Sequence, residues 1–405
     1  MRVVQKFGGT SVGTLERIRK TADLVERSWR DKIETAAVVS AMSGETNRLI
    51  GMANELSDQP EPRELDALVA TGEQVSAALL AIELKQRGVP AYSYTGMQAG
   101  FHTDSQHSRA RIRHIEGTRL MQHLKKGEVP ILTGFQGVDE HGNITTLGRG
   151  GSDTSAVALA IALEADQCDI YTDVDGVYTT DPRIVSSARK IERISYEEML
   201  ELASLGAKVL QTRSVELAMR YNMPIHLRSS FEDVPGTLVM EEVEDMERAA
   251  ISGVAYNRDE AKITIMGIPD RPGIASSIFG SIAESGINVD VIVQNVSEQG
   301  ATDMTFTVPK GDFPAAMEIV REVAGKLGAR DVVGDSAIAK VSIVGVGMRS
   351  HTGVAKRMFD VLSKEGVNVQ MIATSEIKIT VVIEEKYLEL AVRALHSGFD
   401  LDADG

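Results

Sequence analysis

Val3-Val4-Gln5-Lys6-Phe7-Gly8-Gly9-Thr10-Ser11 places a glycine pair directly after an apolar strand, with one lysine at the strand's end. A second run, Gly148-Arg149-Gly150-Gly151-Ser152-Asp153, leads straight into the helical stretch Thr154 to Ala165. Glycine lets backbone approach a ligand closely and a helix start presents unpaired N–H groups, so each run, joined to a fixed cation, suits a polyphosphate. Both runs stand where strands hand over to helices, the place at which open α/β sheets bind ligands. Alone, Lys6 would read as a solvated strand-end lysine, the glycines as an ordinary turn and Asp153 as a helix cap.

Outward from these runs, short β-rich segments alternate with helical patterns up to about residue 230. Ala37 to Val39, Ala91 to Tyr94, Val129 to Leu132, Asp169 to Tyr171 and Ile225 to Leu227 read as strands. Leu15 to Arg27, Leu65 to Arg87, Ser108 to Lys125, Thr154 to Ala165 and Ser214 to Tyr221 have helical spacing. That alternation predicts an α/β domain whose mainly parallel sheet is sandwiched by helices. Asp233-Val234-Pro235-Gly236 and the acidic stretch Glu241 to Glu247 then break the pattern, placing a linker at 233–250 after a first domain of 1–232.

The last third repeats itself. Lys262-Ile263-Thr264-Ile265-Met266-Gly267-Ile268 is echoed by Lys340-Val341-Ser342-Ile343-Val344-Gly345-Val346, and Gly286-Ile287-Asn288-Val289 by Gly366-Val367-Asn368-Val369, a period of about 80 residues. Each copy predicts a ferredoxin-like βαββαβ module, at 251–337 and 338–405, with the second able to borrow a strand from the linker region.

Composition bounds the function. The chain has 405 residues, 43% of them apolar and 25% charged, enough for two or three domains. Its 43 Lys and Arg against 58 Asp and Glu leave a net charge of −15, which excludes nucleic acid or an anionic membrane as expected partners and repels a nucleotide globally. Local Lys, Arg and Mg²⁺ must then supply the attraction. One cysteine, Cys168, excludes an intramolecular disulfide; no signal-like stretch or 18-residue apolar span stands out, so a cytoplasmic location is expected. The eight histidines are scattered without zinc-like spacing, and neither a Walker A run nor the protein-kinase signatures occur.

Six motifs in one order carry a resemblance over the whole length. They are Lys6 to Ser11, Val39-Ser40-Ala41-Met42-Ser43-Gly44-Glu45-Thr46-Asn47, Ala70-Thr71-Gly72-Glu73, Leu147 to Asp153, Thr172 to Tyr178 with Asp181-Pro182-Arg183, and the paired C-terminal modules. Together the chain resembles monofunctional bacterial aspartokinases. The resemblance implies an amino-acid-kinase domain followed by two ACT modules. It also implies phosphorylation of the β-carboxylate of L-aspartate by Mg-ATP, the first step toward lysine, threonine, methionine and diaminopimelate, under feedback inhibition by end products. A carboxylate is already anionic, so the chemistry calls for in-line positioning and charge neutralisation rather than a general base.

Position by position, the resemblance implies that Lys6 contacts the transferring phosphate and that Asp153 holds Lys6. Gly8, Gly9, Thr10 and Ser11 shape the loop beneath it. Thr172, Asp173, Tyr178, Asp181, Arg183 and Lys208 complete the ATP contacts. Aspartate falls to Arg149, whose planar fork suits a carboxylate, to Glu73 as partner of the ammonium, and to Ser40, Thr46, Asn47, Gly150, Gly151, Ser152 and Asp153. No protein-bound metal is expected, Mg²⁺ arriving with ATP.

In the modules, Asp270-Arg271-Pro272-Gly273-Ile274-Ala275 opens a helix, and Asn288, Asp290, Gln294 and Asn295 offer polar groups nearby. Lysine, threonine or both are the effectors implied, with Ser297 and Thr305 expected to tune inhibition. The second copy lacks the aspartate-arginine-proline run, and Thr374, Ser375 and Glu376 are placed near a partner's module. A homo-oligomer is expected, or an assembly with a shorter ACT-only product starting near Met240 or Met246. Two alternatives stand beside this reading: a relative acting on glutamate, acetylglutamate or a nucleotide, and a catalytically dead amino-acid sensor.

Overall fold

A computed structural model describes residues 1–205, 209–242, 251–296 and 301–402. They fall into two compact units, one built from 1–177, 190–203 and the described part of 208–245, the other from 178–189 and most of the chain beyond 246.

An eight-stranded sheet organises the first unit. Its strands run in the order Arg193–Ser195, Thr237–Met240, Ile225–Ser229, Gln167–Thr172, Arg2–Phe7, Glu34–Val39, Val129–Thr133 and Ala91–Tyr94. All neighbouring pairs are parallel except Ile225–Ser229 with Thr237–Met240. The central strands read as apolar runs because helices cover both faces, and Phe7, Val39, Leu80, Leu84 and Ile131 fill one side. The Leu15–Arg30 helix starts where the Thr14 hydroxyl accepts a hydrogen bond from Arg17 N at 3.2 Å. The Gly151–Ala162 helix is buried nearly all round, as its continuous small and apolar sequence requires.

Register places the strand ends together. Phe7 lies beside Val39 and Tyr171, and Val39 beside Thr133. Three further bonds carry the ladders one residue onward: Ser40 N donates to Phe7 O at 3.0 Å, Gly8 N to Tyr171 O at 3.1 Å and Gly134 N to Val39 O at 2.9 Å. The loops after these four strands therefore emerge side by side at the carboxyl edge.

Two helical expectations change. Ser108 to Lys125 is not one helix: Ile112–Ile115 is a strand paired with Phe101–Thr103 in a satellite four-stranded sheet, and the helix begins at Thr118. The β-branched Ile112 and Ile115 suit that pairing. Leu65 to Arg87 is two helices, Pro62–Val69 and Thr71–Gln86, breaking at Ala70, whose carbonyl accepts from Gln136 Nε2 at 2.9 Å. Contrary to the expectation that no long apolar span exists, Pro62–Gln86 is long and apolar enough to cross a membrane. It is half buried in this unit with Asp66 and Glu73 inside, which marks it as a core element.

The second unit holds the two modules. In the first, Ala261–Pro269, Ile292–Val296, Ala301–Val308 and Asp331–Asp335 form an antiparallel sheet, with Ala261–Pro269 and Ala301–Val308 central. The Ile274–Glu284 and Phe313–Leu327 helices complete βαββαβ over a core containing Ile263, Ile278 and Phe306. The second module has strands Ile338–Val344, Met371–Thr374 and Lys378–Glu384, and its fourth place is filled by Gly253–Asn257 from ahead of the first module. Residues 178–189, expected within 1–232, also belong here: Ile184, Val185 and Ala188 pack into the second module's core, and Thr179 Oγ1 lies 2.9 Å from His396 Nε2.

Leu80 is fully buried under the large sheet. Leu80→Ala is expected to destabilise the first unit by about 2–5 kcal/mol, read as a lowered denaturant midpoint of its unfolding transition.

Candidate active site

The carboxyl edge of the large sheet gathers the glycine runs into one place. Lys6 leaves the Arg2–Phe7 strand with its side chain 10% exposed, and its Nζ lies 2.6 Å from Asp153 Oδ1, itself 11% exposed, in the first turn of the Gly151–Ala162 helix. The pair meets on distance without hydrogen-bond alignment at that oxygen, so the ammonium keeps donors for another acceptor. An acidic residue in a helix's first turn is favoured by the helix dipole. The residues 147 apart in sequence thus converge.

Space beside this pair is limited: a Cβ on Gly8 would make an ordinary 3.5 Å contact with Lys6 Nζ, while one on Gly9 would press on Ala41 O at 3.1 Å. Ser11 turns inward, its hydroxyl donating to Ser230 Oγ at 2.8 Å, so it braces the loop while Thr10 is exposed. Gly150, at φ 72° against the Gln211 side chain, has space only for hydrogen.

Glu73 stands in the first turn of Thr71–Gln86 and is only 3% exposed. Its Oε1 accepts from Ala41 N at 3.1 Å, while Oε2 is buried and unpartnered. Burial pushes its carboxyl up to about 7, against the lowering effect of backbone hydrogen bonds. A surface glutamate would be exposed; this one is buried with one oxygen left unpartnered. Ser40 and Thr46 are half-buried and Asn47 exposed, the latter two at the start of Glu45–Leu56. Arg149 is exposed and, among the described residues, makes no hydrogen bond or ion pair. Ser152 is buried beside Gly134, where a Cβ would come within 2.7 Å of Ser152 Oγ.

Other expected residues are placed differently. Thr172 and Asp173 lie at the end of Gln167–Thr172, Thr172 Oγ1 donating to Asp173 Oδ1 at 3.1 Å. Tyr178, Asp181 and Arg183 fall in the second unit. There Asp181 is held down to about 2, chiefly by hydrogen bonds from the Arg183 side chain, and also accepts from Tyr256 Oη at 2.8 Å. Lys208 and Ser297 lie outside the described residues.

In the first module Gly273 caps the Ile274–Glu284 helix at φ 94°, Ile274 is buried, and Asp270, Ala275, Asn288, Gln294 and Asn295 are exposed. Asp290 is already engaged by Lys340 Nζ. Thr305 Oγ1 lies 3.1 Å from Thr264 Oγ1 across the sheet. Thr374, Ser375 and Glu376 are exposed at the Met371–Thr374 end, with Glu376 3.4 Å from Arg349.

Comparison with known proteins bears on this geometry. Residues 1–229 match the amino acid kinase family, and 262–325 and 341–399 match ACT domain families. The chain is 61% identical over 403 residues to the aspartokinase of Pseudomonas aeruginosa, covering 99% of this chain and 98% of that one. It is 49% identical to the aspartokinase of Helicobacter pylori, covering 99% and all of that chain. The chain belongs to the aspartokinase family. Among solved structures, Escherichia coli aspartokinase III in complex with aspartate and ADP superposes with a TM-score of 0.81 at 29% identity, covering 98% of this chain and 99% of that one.

Within this aspartokinase site, sequence reading missed Phe135. It sits at φ 69°, rare for a bulky residue, just beyond the Val129–Thr133 strand. Its N donates to Ser155 Oγ at 3.1 Å, and its ring edge lies 2.9 Å from where a Cβ on Gly151 would stand. Only the adjoining Gly134 hinted at it.

Because Glu73 takes up a proton near neutrality, its charged form is lost as pH falls through about 7. Aspartate affinity, titrated calorimetrically without nucleotide, is expected to weaken about tenfold from pH 8 to pH 6, and Glu73→Gln to remove that dependence.

Proposed function

We infer that the chain transfers the γ-phosphoryl group of ATP to the β-carboxylate of L-aspartate. The observation that carries this is the buried Lys6–Asp153 pair at a helix N-terminus, sharing the sheet's carboxyl edge with the unpartnered Glu73 Oε2. A carboxylate oxygen attacks the γ-phosphorus, the new O–P bond forms as the bond to the β–γ bridging oxygen breaks, and ADP leaves. No proton moves in this step, in keeping with a site built from a lysine, glycine loops and a helix start.

Lys6 offsets charge on the phosphoryl oxygens and Asp153 fixes its ammonium. Glu73 takes the substrate's ammonium, and the free fork of Arg149 its α-carboxylate. Ser40, Thr46, Asn47, Gly150, Gly151 and Ser152 line that pocket. The nucleotide-side roles of Thr172, Asp173, Tyr178, Asp181, Arg183 and Lys208 rest on family resemblance. Among the described residues no three His, Cys, Asp or Glu side chains gather as an ion cage, and Mg²⁺ is written here as part of the substrate Mg-ATP.

Aspartate, Mg-ATP and hydroxylamine should give β-aspartyl hydroxamate, with Lys6→Ala lowering turnover by at least about a hundredfold while the fold is kept. Wild-type product no greater than that of Lys6→Ala would overturn the reading in favour of an amino-acid sensor.

Regulation follows from the modules. Escherichia coli aspartokinase III has been solved with lysine and aspartate in a T-state, with a TM-score of 0.77 at 28% identity. Lysine, threonine or both are the effectors we assign here, received at the Gly273 helix start and along Ile292–Val296, and acting by differential affinity for two arrangements. The exposed Asp270, Asn288, Gln294 and Asn295 support this reading. An oligomer, or an assembly with an ACT-only chain, would complete that surface. Calorimetric titration with lysine, threonine and both together should show Asp270→Ala and Thr305→Ala weakening binding roughly tenfold, and unchanged affinity would count against the assignment.

A further inference from the structure

The loop that presents Arg149 is gripped by a side chain outside every motif. Arg213, at the second position of the Thr212–Tyr221 helix, donates from Nη1 to Leu147 O at 2.9 Å and from Nη2 to Ala110 O at 2.8 Å. The same Leu147 peptide donates through its N–H to Phe135 O at 2.8 Å, so the residue before Gly148 is fixed from both sides. Ala110 N in turn donates to Thr146 O at 2.8 Å, and Thr146 is tied to the buried Asp66 through its N–H at 3.0 Å and its hydroxyl at 2.5 Å. Gly148, at φ 79°, lies against Ser108 O, and Gly150 against Gln211. Among the described residues, the backbone leading to Arg149 is anchored from both sides, whereas the Arg149 side chain makes no hydrogen bond or ion pair.

The choice of an arginine at position 213 is not explained by an ion pair. Among the described residues no carboxylate lies within salt-bridge distance of it. Its guanidinium is held by two neutral carbonyls, partly buried, with Arg111 opposing its charge and Asp104 and Glu216 favouring it more weakly than burial disfavours it. A planar fork can bridge two carbonyls on different chain segments, which an ammonium does poorly. Its charge is left unneutralised next to a loop that must receive a dianion.

We propose that Arg213 is a positioning residue for aspartate: by bridging Leu147 O and Ala110 O it fixes the start of the 147–151 loop, so that Arg149 meets the substrate carboxylate already in place. The proposal rests on Arg149 being that carboxylate's partner. It acts through Arg149, which gives it a signature that a merely structural role lacks.

The test is steady-state kinetics on full-length Arg213→Met, Arg213→Lys, Arg149→Ala and the Arg149→Ala/Arg213→Met double variant, with thermal unfolding of each. Arg213→Met is expected to raise the aspartate KM roughly tenfold while the ATP KM stays within about twofold, with Arg213→Lys intermediate. The double variant should have an aspartate KM no higher than Arg149→Ala, because the clamp has nothing left to position. An unchanged aspartate KM in Arg213→Met, equal rises for aspartate and ATP, or additive effects in the double variant would overturn the proposal. If Arg213→Met does not fold, Arg213→Lys decides by the same criteria. An Arg149→Ala variant with normal aspartate KM would instead sink the reading of the loop itself.

Discussion

The ion pair between Lys6 and Asp153 is the constraint around which the first unit is arranged. Taking two charges out of water is costly, and a well-packed apolar pair would serve stability as well or better. The pair is kept where it joins the end of the central strand to the first turn of the central helix, so strand register and helix entry both determine its geometry. Removing either partner would leave a charge uncompensated, which makes the site sensitive to any shift of strand against helix. The glycines on both sides are the spatial corollary: Gly9 and Gly134 stand where a methyl group would press on Ala41 O and Ser152.

A chain of net charge −15 that handles an anionic nucleotide and an anionic amino acid must concentrate its cations. It does so unevenly. Lys6 is neutralised by Asp153 and buried, Arg149 is exposed and free, and Arg213 is held by carbonyls alone. One cation is thus committed to a fixed place, one is solvent-facing and unpaired, and one is held by carbonyls with carboxylates only at a distance. That gradation gives local attraction while the remainder of the surface keeps the molecule acidic.

Much of the fold was legible because its signals are local. Apolar runs such as Val129 to Leu132 need helices on both faces, and the repeat at about 80 residues exposed the two modules directly. What escaped depends on pairing between distant segments. Ile112–Ile115 became a strand because Phe101–Thr103 lies beside it, and the helix break at Ala70 is stabilised by Gln136 from another strand. The strand borrowed by the second module was expected from the linker region, and it is Gly253–Asn257, just past that region, that pairs there. For the site, the meeting of Lys6 with Asp153 was legible from the two glycine motifs, whereas the backbone of Phe135 and the contacts of Arg213 were not. A left-handed phenylalanine and an arginine bound to two carbonyls carry no sequence signature; both are known only from the backbone they touch.

Glu73 shows why burial and function belong to one argument. Its carboxyl is desolvated beyond what backbone hydrogen bonds, Ala41 N among them, can offset, so near neutrality it is partly protonated. A ligand ammonium arriving at Oε2 would supply the missing countercharge and displace that proton. Protonation thus avoids the full cost of an unpaired buried anion, and a cation at Oε2 would stabilise the charged form instead. On the role proposed for Glu73, a dicarboxylate without an ammonium would leave this carboxyl either protonated or buried and unpaired, whereas an amino acid would not.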